Sequence, residues 1–374
     1  MSFEDVRDFQ ASLWALGIAG SDCAVYRNGA CVYRYCSGWA DIAEARPIDI
    51  NTIFQMYSMT KPVTCVAILK LMERGALSLD DAVADYLPEY GRLCVQDRSG
   101  RIIPSRMIMT IQHLMSMTSG IPYDLNAPAL EALKAKVPNY STREHAGAVA
   151  EIPLAFEPGD GWLYGWSHDV LAALAEVAAG VSYGVLMKEL IFDPLDMRDV
   201  YFRVPDECLQ RMARRYVWKK GTPPSERLPL DIPYQSGQHE SGGAGLQCTV
   251  EEYAKFALAL CQAAIGQNNP LISMESAMLM RRNQLATPAQ ANGFRAFKPT
   301  GSGYGLGVFT DASDSGGPFG WGGAAGTYLH IDPTNELVVI LALQAEPNPR
   351  ELIRPAILSR IYCALGIEWN RYWI

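Results

Sequence analysis

A chain of 374 residues, 49% hydrophobic and 19% charged, is globular and long enough for two domains or for one domain carrying a large insertion. A net charge of −8, without any lysine or arginine block, gives no footing for nucleic acid or an anionic membrane as partner. Nine cysteines with no Cys-x-x-Cys pair argue against a bridged scaffold and read as reduced, mostly buried thiols.

In chain order, Phe3, Val6, Phe9, Leu13 and Leu16 recur at helical spacing, which predicts a helix over 3–17. Two strands over 22–27 and 30–38 are joined by Asn28-Gly29, a hairpin turn in which both positions require positive φ. Residues 54–73 run from a short strand into a helix that Gly75 ends. Residues 80–282 are mainly helical with long loops, including helices over 111–117, 167–179 and 250–264. The prolines at 223, 224, 229 and 233 suggest a crossing loop or flap over 219–236. Strands over 304–310, 319–331 and 336–344 and a helix over 350–365 close the chain.

Strands at both ends with helices between predict an antiparallel sheet flanked by helices and built from N- and C-terminal segments. The expected division is an α/β domain of residues 1–80 and 283–374 and a mainly helical inserted domain of residues 81–282, with the active site in the cleft between them. The charged N-terminal residues 1–8 show no apolar signal core, and no run of about 18 apolar residues offers a membrane span. With the cysteine pattern, this predicts a cytoplasmic protein.

The chain is organised around Phe54-Gln55-Met56-Tyr57-Ser58-Met59-Thr60-Lys61, its only Ser-x-x-Lys. A serine needs a base to become a nucleophile, and residues three apart share a helix face, so Lys61 reaches Ser58. An ordinary lysine titrates near about 10.4, and burial or a cationic or phenolic neighbour must lower that value before it serves as a base. Tyr164, after the turn-rich Glu157-Pro158-Gly159-Asp160-Gly161, is the candidate phenol for the same task. The glycine-dense strand Phe319-Gly320-Trp321-Gly322-Gly323-Ala324 marks a close backbone approach. The N–H groups of Ser58 and Ala324 are candidate donors to a tetrahedral oxyanion.

Other chemistries fit less well. There is no Gly-x-Ser-x-Gly elbow and no phosphate-binding glycine loop before a helix. The five histidines, 113, 145, 168, 239 and 330, read as isolated and without metal-site spacing, so no metal or cofactor is expected. His168 is read as a capping or surface residue bordering the cleft.

Together these stretches resemble the serine β-lactamase and penicillin-recognising superfamily, in the class C-like branch that includes family VIII carboxylesterases. The Ser58 stretch is similar to the first motif, Tyr164-Gly165-Trp166 lies where that branch has Tyr-x-Asn, and Trp321-Gly322-Gly323 lies where lactamases have Lys-Thr-Gly. Supporting stretches are residues 111–122, Gly242-Gly243-Ala244-Gly245-Leu246 and Gly326-Thr327-Tyr328. The resemblance implies a β-lactamase/transpeptidase-like fold. It also implies Ser58 as nucleophile, Lys61 and Tyr164 as coupled base and acid, the Ser58 and Ala324 amides as oxyanion hole, and Trp166, Trp321, Gly322 and Gly323 on the substrate.

Trp166 removes an amide that would hold a β-lactam side chain, and Trp321 replaces a cation that would face a β-lactam carboxylate. The expectation is therefore an esterase that cleaves small, uncharged carboxylic esters. The alternatives are a β-lactamase or D-amino-acid peptidase, an acyltransferase, and a catalytically silent acyl-binding protein. The partner is a small-molecule ester or amide; oligomeric state is left open.

Overall fold

The computed structural model describes residues 2–97, 99–225, 228, 238–298, 301–313 and 316–369. Its main sheet has eight antiparallel strands in the spatial order Ser302–Tyr304, Phe309–Asp311, Phe319–Gly322, Tyr328–Asp332, Leu337–Leu343, Gly20–Arg27, Ala30–Asp41 and Arg46–Pro47. The ends of the chain meet where Leu337–Leu343 pairs with Gly20–Arg27, from Ser21 opposite Leu343 to Arg27 opposite Leu337. The predicted sheet of N- and C-terminal segments is thus formed, and Asn28 and Gly29 both take positive φ at its hairpin turn.

Alternation along the strands sends side chains to two cores. Val338, Ile340 and Ala342 join Tyr253, Phe256 and Leu260 of helix Val250–Ala264 on one face. Leu337, Val339, Leu341 and Leu343 join Val6 and Leu13 and the Ile353, Ile357 and Ile361 of helix Arg350–Leu365 on the other. A sheet covered on both faces explains why 337–343 is apolar without a break. Helix Ser167–Ala179, apolar on most of its surface, packs against helix Thr60–Glu73 inside the helical region.

Four local expectations change. The helix predicted over 3–17 ends at Ala11 and continues as a 3₁₀ turn, Ser12–Leu16, closed by Gly17 at φ 86°. The helix predicted over 111–117 stops at Met115. The 304–310 strand is two short strands, and the 319–331 strand is a hairpin whose turn lies at 323–327. Of the proposed flap over 219–236, residues 226–227 and 229–236 lie outside the described residues. No single helix among the described residues is long and apolar enough to cross a membrane.

Candidate active site

Strand Phe54–Gln55 is turned sharply into helix Thr60–Glu73 by a 3₁₀ turn, Tyr57–Met59. Tyr57 has φ 49°, a left-handed conformation that a bulky residue holds only when its surroundings enforce it. The turn is clamped: Thr60 Oγ1 donates to the Tyr57 carbonyl at 2.6 Å and accepts from the Leu246 N–H at 3.0 Å. Ser58 is thereby held at the base of a cavity, 9% exposed.

Lys61 lies one turn on, fully buried, and its Nζ donates to Ser58 Oγ at 3.2 Å and to the Gly243 carbonyl at 2.7 Å. That carbonyl belongs to a loop laced onto the helices. Thr64 Oγ1 donates to the Gly242 carbonyl at 2.6 Å, and Asp169 accepts from Ser241 Oγ and from the Gly243 N–H. The Tyr164 hydroxyl donates to Ser58 Oγ at 2.5 Å, and Lys61 Nζ stands 4.7 Å from the Tyr164 ring centroid. Serine, lysine and phenol thus form one contiguous hydrogen-bonded group that can pass a proton among its members.

The hairpin turn closes the site from the sheet side. Thr327 Oγ1 donates to the Met56 carbonyl at 2.9 Å, which ties the turn to the Ser58 segment. Asn348 Nδ2 donates to the Gly323 and Ala324 carbonyls, both at 3.1 Å. Because a peptide unit is planar, holding the Gly323 carbonyl also fixes the direction of the Ala324 N–H. Among the described residues the fold uses neither the Ser58 nor the Ala324 N–H for a backbone hydrogen bond, so both remain as donors for a developing oxyanion.

A cavity of about 530 Å³ opens above this group, lined by Ser58, Tyr164, Trp321, Gly322, Gly323 and Ala324 among others. The volume suits a small organic molecule. One wall is an aromatic stack: Tyr164 on Phe297 at 4.9 Å and Phe297 on Trp321 at 6.2 Å between ring centroids.

Seven of the eight residues singled out in the sequence come together here; Trp166 does not. It is 4% exposed, its indole N–H donates to the Asp124 carbonyl at 3.2 Å, and it packs on Tyr123 and His145 rather than lining the cavity. His168 is no cap or surface residue: it is fully buried, with Nε2 3.3 Å from Cys65 Sγ, and burial with the nearby Lys61 holds it neutral. His145 and His239, read as isolated, stack at 4.2 Å beside Asp169. Their rings are 18° from parallel, so their in-plane lone pairs do not converge on one point as shared metal coordination requires. The sequence reading missed Asn348, whose segment is distant from the three motifs.

The β-lactamase family model matches residues 6–361. Esterase EstB of Burkholderia gladioli is 28% identical over 385 residues, covering 94% of this chain and 94% of its own. Lovastatin esterase of Penicillium rubens is 28% identical and covers 90% of this chain and 91% of its own. Among solved structures, EstCE1, a hydrolase with promiscuous acyltransferase activity, has a TM-score of 0.78 at 24% identity, over 96% of this chain and 98% of that one. Unliganded simvastatin synthase from Aspergillus terreus, as the selenomethionyl derivative, has a TM-score of 0.80 at 23% identity, with 97% of each chain covered. Since the match runs almost from one end to the other, the chain belongs to the β-lactamase family, within the serine hydrolase superfamily.

Proposed function

We propose that the protein hydrolyses small carboxylic esters through an acyl-enzyme on Ser58. The observation that carries this reading is the placement of Ser58 Oγ between Lys61 Nζ at 3.2 Å and the Tyr164 hydroxyl at 2.5 Å, at the base of a cavity with two unused amides beside it. Ser58 Oγ attacks the ester carbonyl carbon as its proton passes to the Lys61–Tyr164 pair. The tetrahedral oxygen takes hydrogen bonds from the Ser58 and Ala324 N–H groups, and loss of one such donor typically costs about 2.7–4 kcal/mol. The pair returns the proton to the departing alkoxide, and water attacks the acyl-enzyme by the same route in reverse.

Two esterases among the relatives support the choice of ester over amide. So does Trp321, which puts an indole where a lactamase motif carries a cation. The nine cysteines are free thiols, which suits the reducing cytoplasm. The test is hydrolysis of p-nitrophenyl esters by wild type and Ser58→Ala, with intact mass recorded during turnover. Activity is expected to vanish with Ser58, and a mass increment equal to the acyl group is expected on wild type alone. Unchanged esterase activity in Ser58→Ala would refute the assignment.

A further inference from the structure

The wall of the cavity carries charge that no motif accounts for. Lys298, directly after helix Pro288–Phe297, and Arg354, in helix Arg350–Leu365, both line it together with Ser58 and Tyr164. Lys298 Nζ stands 3.7 Å from the centroid of Phe309, and the Arg354 guanidinium 4.5 Å from that of Tyr328. Arg354 also lies against the third motif, since a Cβ on Gly322 would come within 2.2 Å of its Nη2. Lys298 and Arg354, brought from separate segments, therefore face one small space, whose lining also includes Arg350.

Among the described residues no carboxylate oxygen comes within 4.0 Å of Lys298 or Arg354. Of the two acids at the cavity, Glu346 pairs with Arg215 at 2.7 Å, and Glu351 pairs at 3.1 Å with Arg350, itself part of the lining. Among the described residues Arg354 Nε is buried without a hydrogen-bond partner, and its Nη2 donates to the Thr327 carbonyl at 3.4 Å. Burial, and then the neighbouring Arg354, pushes the Lys298 ammonium well below its ordinary range, while burial lowers Arg354 to about 10. Both side chains are half-buried, and drawing an unpaired charge even partly out of water carries a cost. Glu351 acts on both groups only at longer range, opposing the effect of burial.

We propose that Lys298 and Arg354 form a carboxylate subsite, so that the ester cleaved at Ser58 bears a carboxylate on its acid or alcohol part. The guanidinium offers that group a two-point hydrogen-bonded fork, and the ammonium a point charge. This deepens the ester-cleaving reading of the cavity and rests on it. It replaces the expectation of an uncharged substrate: Trp321 removes the motif cation, and two residues outside the motifs supply positive charge. A cavity of about 530 Å³ favours a compact half-ester of a dicarboxylic acid, or an acyl ester of a hydroxy acid, over a nucleotide-bearing thioester.

Binding to the Ser58→Ala protein, measured by calorimetry, tests the subsite without turnover. Monoethyl adipate against its half-amide places the charge on the acid side; 4-acetoxybenzoate against 4-acetoxybenzamide places it on the alcohol side. In one pair the carboxylate is expected to bind at least about 10-fold more tightly than the amide. Lys298→Gln and Arg354→Gln should each reduce that ratio, and Lys298→Arg, which keeps the charge, should retain it. Equal binding of acid and amide in both pairs, or a ratio unmoved in both glutamine variants, overturns the proposal. The same four esters given to the Ser58 enzyme separate the two readings. A carboxylate preference in binding with no cleavage of any ester upholds the subsite and refutes ester hydrolysis, whereas cleavage of the amides as fast as the acids refutes the subsite alone.

Discussion

Among the described residues no carboxylate pairs with Lys61; its Nζ is held by a backbone carbonyl, a serine oxygen and the face of a tyrosine ring. Such a lysine is positioned for proton transfer rather than for an ion pair. Tyr164 is the matching partner, reaching Ser58 from the opposite side. Lys61→Ala and Tyr164→Phe are each expected to lower kcat for a p-nitrophenyl ester by roughly 10²–10⁴, the usual loss on removing general acid–base help, with little change in KM. Steady-state kinetics with burst analysis decides, and a near-wild-type rate in either variant removes that residue from the proton path. The Ser58–Lys61 pair was readable because three-residue spacing fixes a shared face. Trp166 was misread because a motif position gives no side-chain direction, and its indole turned toward the Asp124 carbonyl. Asn348, Lys298 and Arg354 were invisible because each enters the site from a segment that carries no motif.

At the level of elements, the hairpin Phe319–Gly322 and Tyr328–Asp332 decides how close the Ala324 amide comes to Ser58. Its turn is fastened to the Ser58 segment through Thr327 and the Met56 carbonyl, and Gly323 lies directly between them. A Cβ on Gly323 would meet Thr327 Oγ1 at 2.1 Å and the Met56 carbonyl oxygen at 2.5 Å, so one of the two segments must move. Gly323→Ala is therefore expected to reduce kcat/KM by about 10²–10³, the scale of a lost oxyanion donor, while the fold survives. Parallel loss of affinity for a tetrahedral phosphonate or boronate analogue is the discriminating measurement; unchanged analogue binding would show that the Ala324 amide has not shifted. The sequence reading took 319–331 as one strand because apolar residues continue through it, and a glycine-rich run marks close approach without saying where the chain reverses. Helices Ser167–Ala179, Val250–Ala264 and Arg350–Leu365 were legible to the residue, since helical spacing and end signals agree there.

On the scale of the whole molecule, the fold stores its histidines as neutral groups. Burial is the leading cause at all five: His113, His145, His168, His239 and His330, the last pushed down to about 4. Asp169 and Asp332 oppose the shift at His145 and His330, and do not cancel it. This could not be read from the sequence, because neutrality follows from how two layers of helices and a sheet close over residues far apart in the chain. The linkage has a definite sign. An imidazole with a folded value below its unfolded value of 6.5 is protonated first in the unfolded chain, so acid favours unfolding. Its stabilising contribution is complete above about 6.5 and is lost as pH falls toward the folded value, at up to about 1.4 kcal/mol per pH unit for each histidine. For His330, which shares a 2.8 Å hydrogen bond with the Tyr362 hydroxyl beneath the sheet, the window runs from about 6.5 down to about 4. Urea unfolding at pH 7.5, 6.5, 5.5 and 4.5 is expected to show falling stability below 6.5 in wild type and a shallower fall in His330→Gln. The readout is the slope rather than the absolute stability, so a general weakening by the substitution does not mimic the effect. An identical slope in the two proteins would mean that His330 charges as easily inside the fold as outside it.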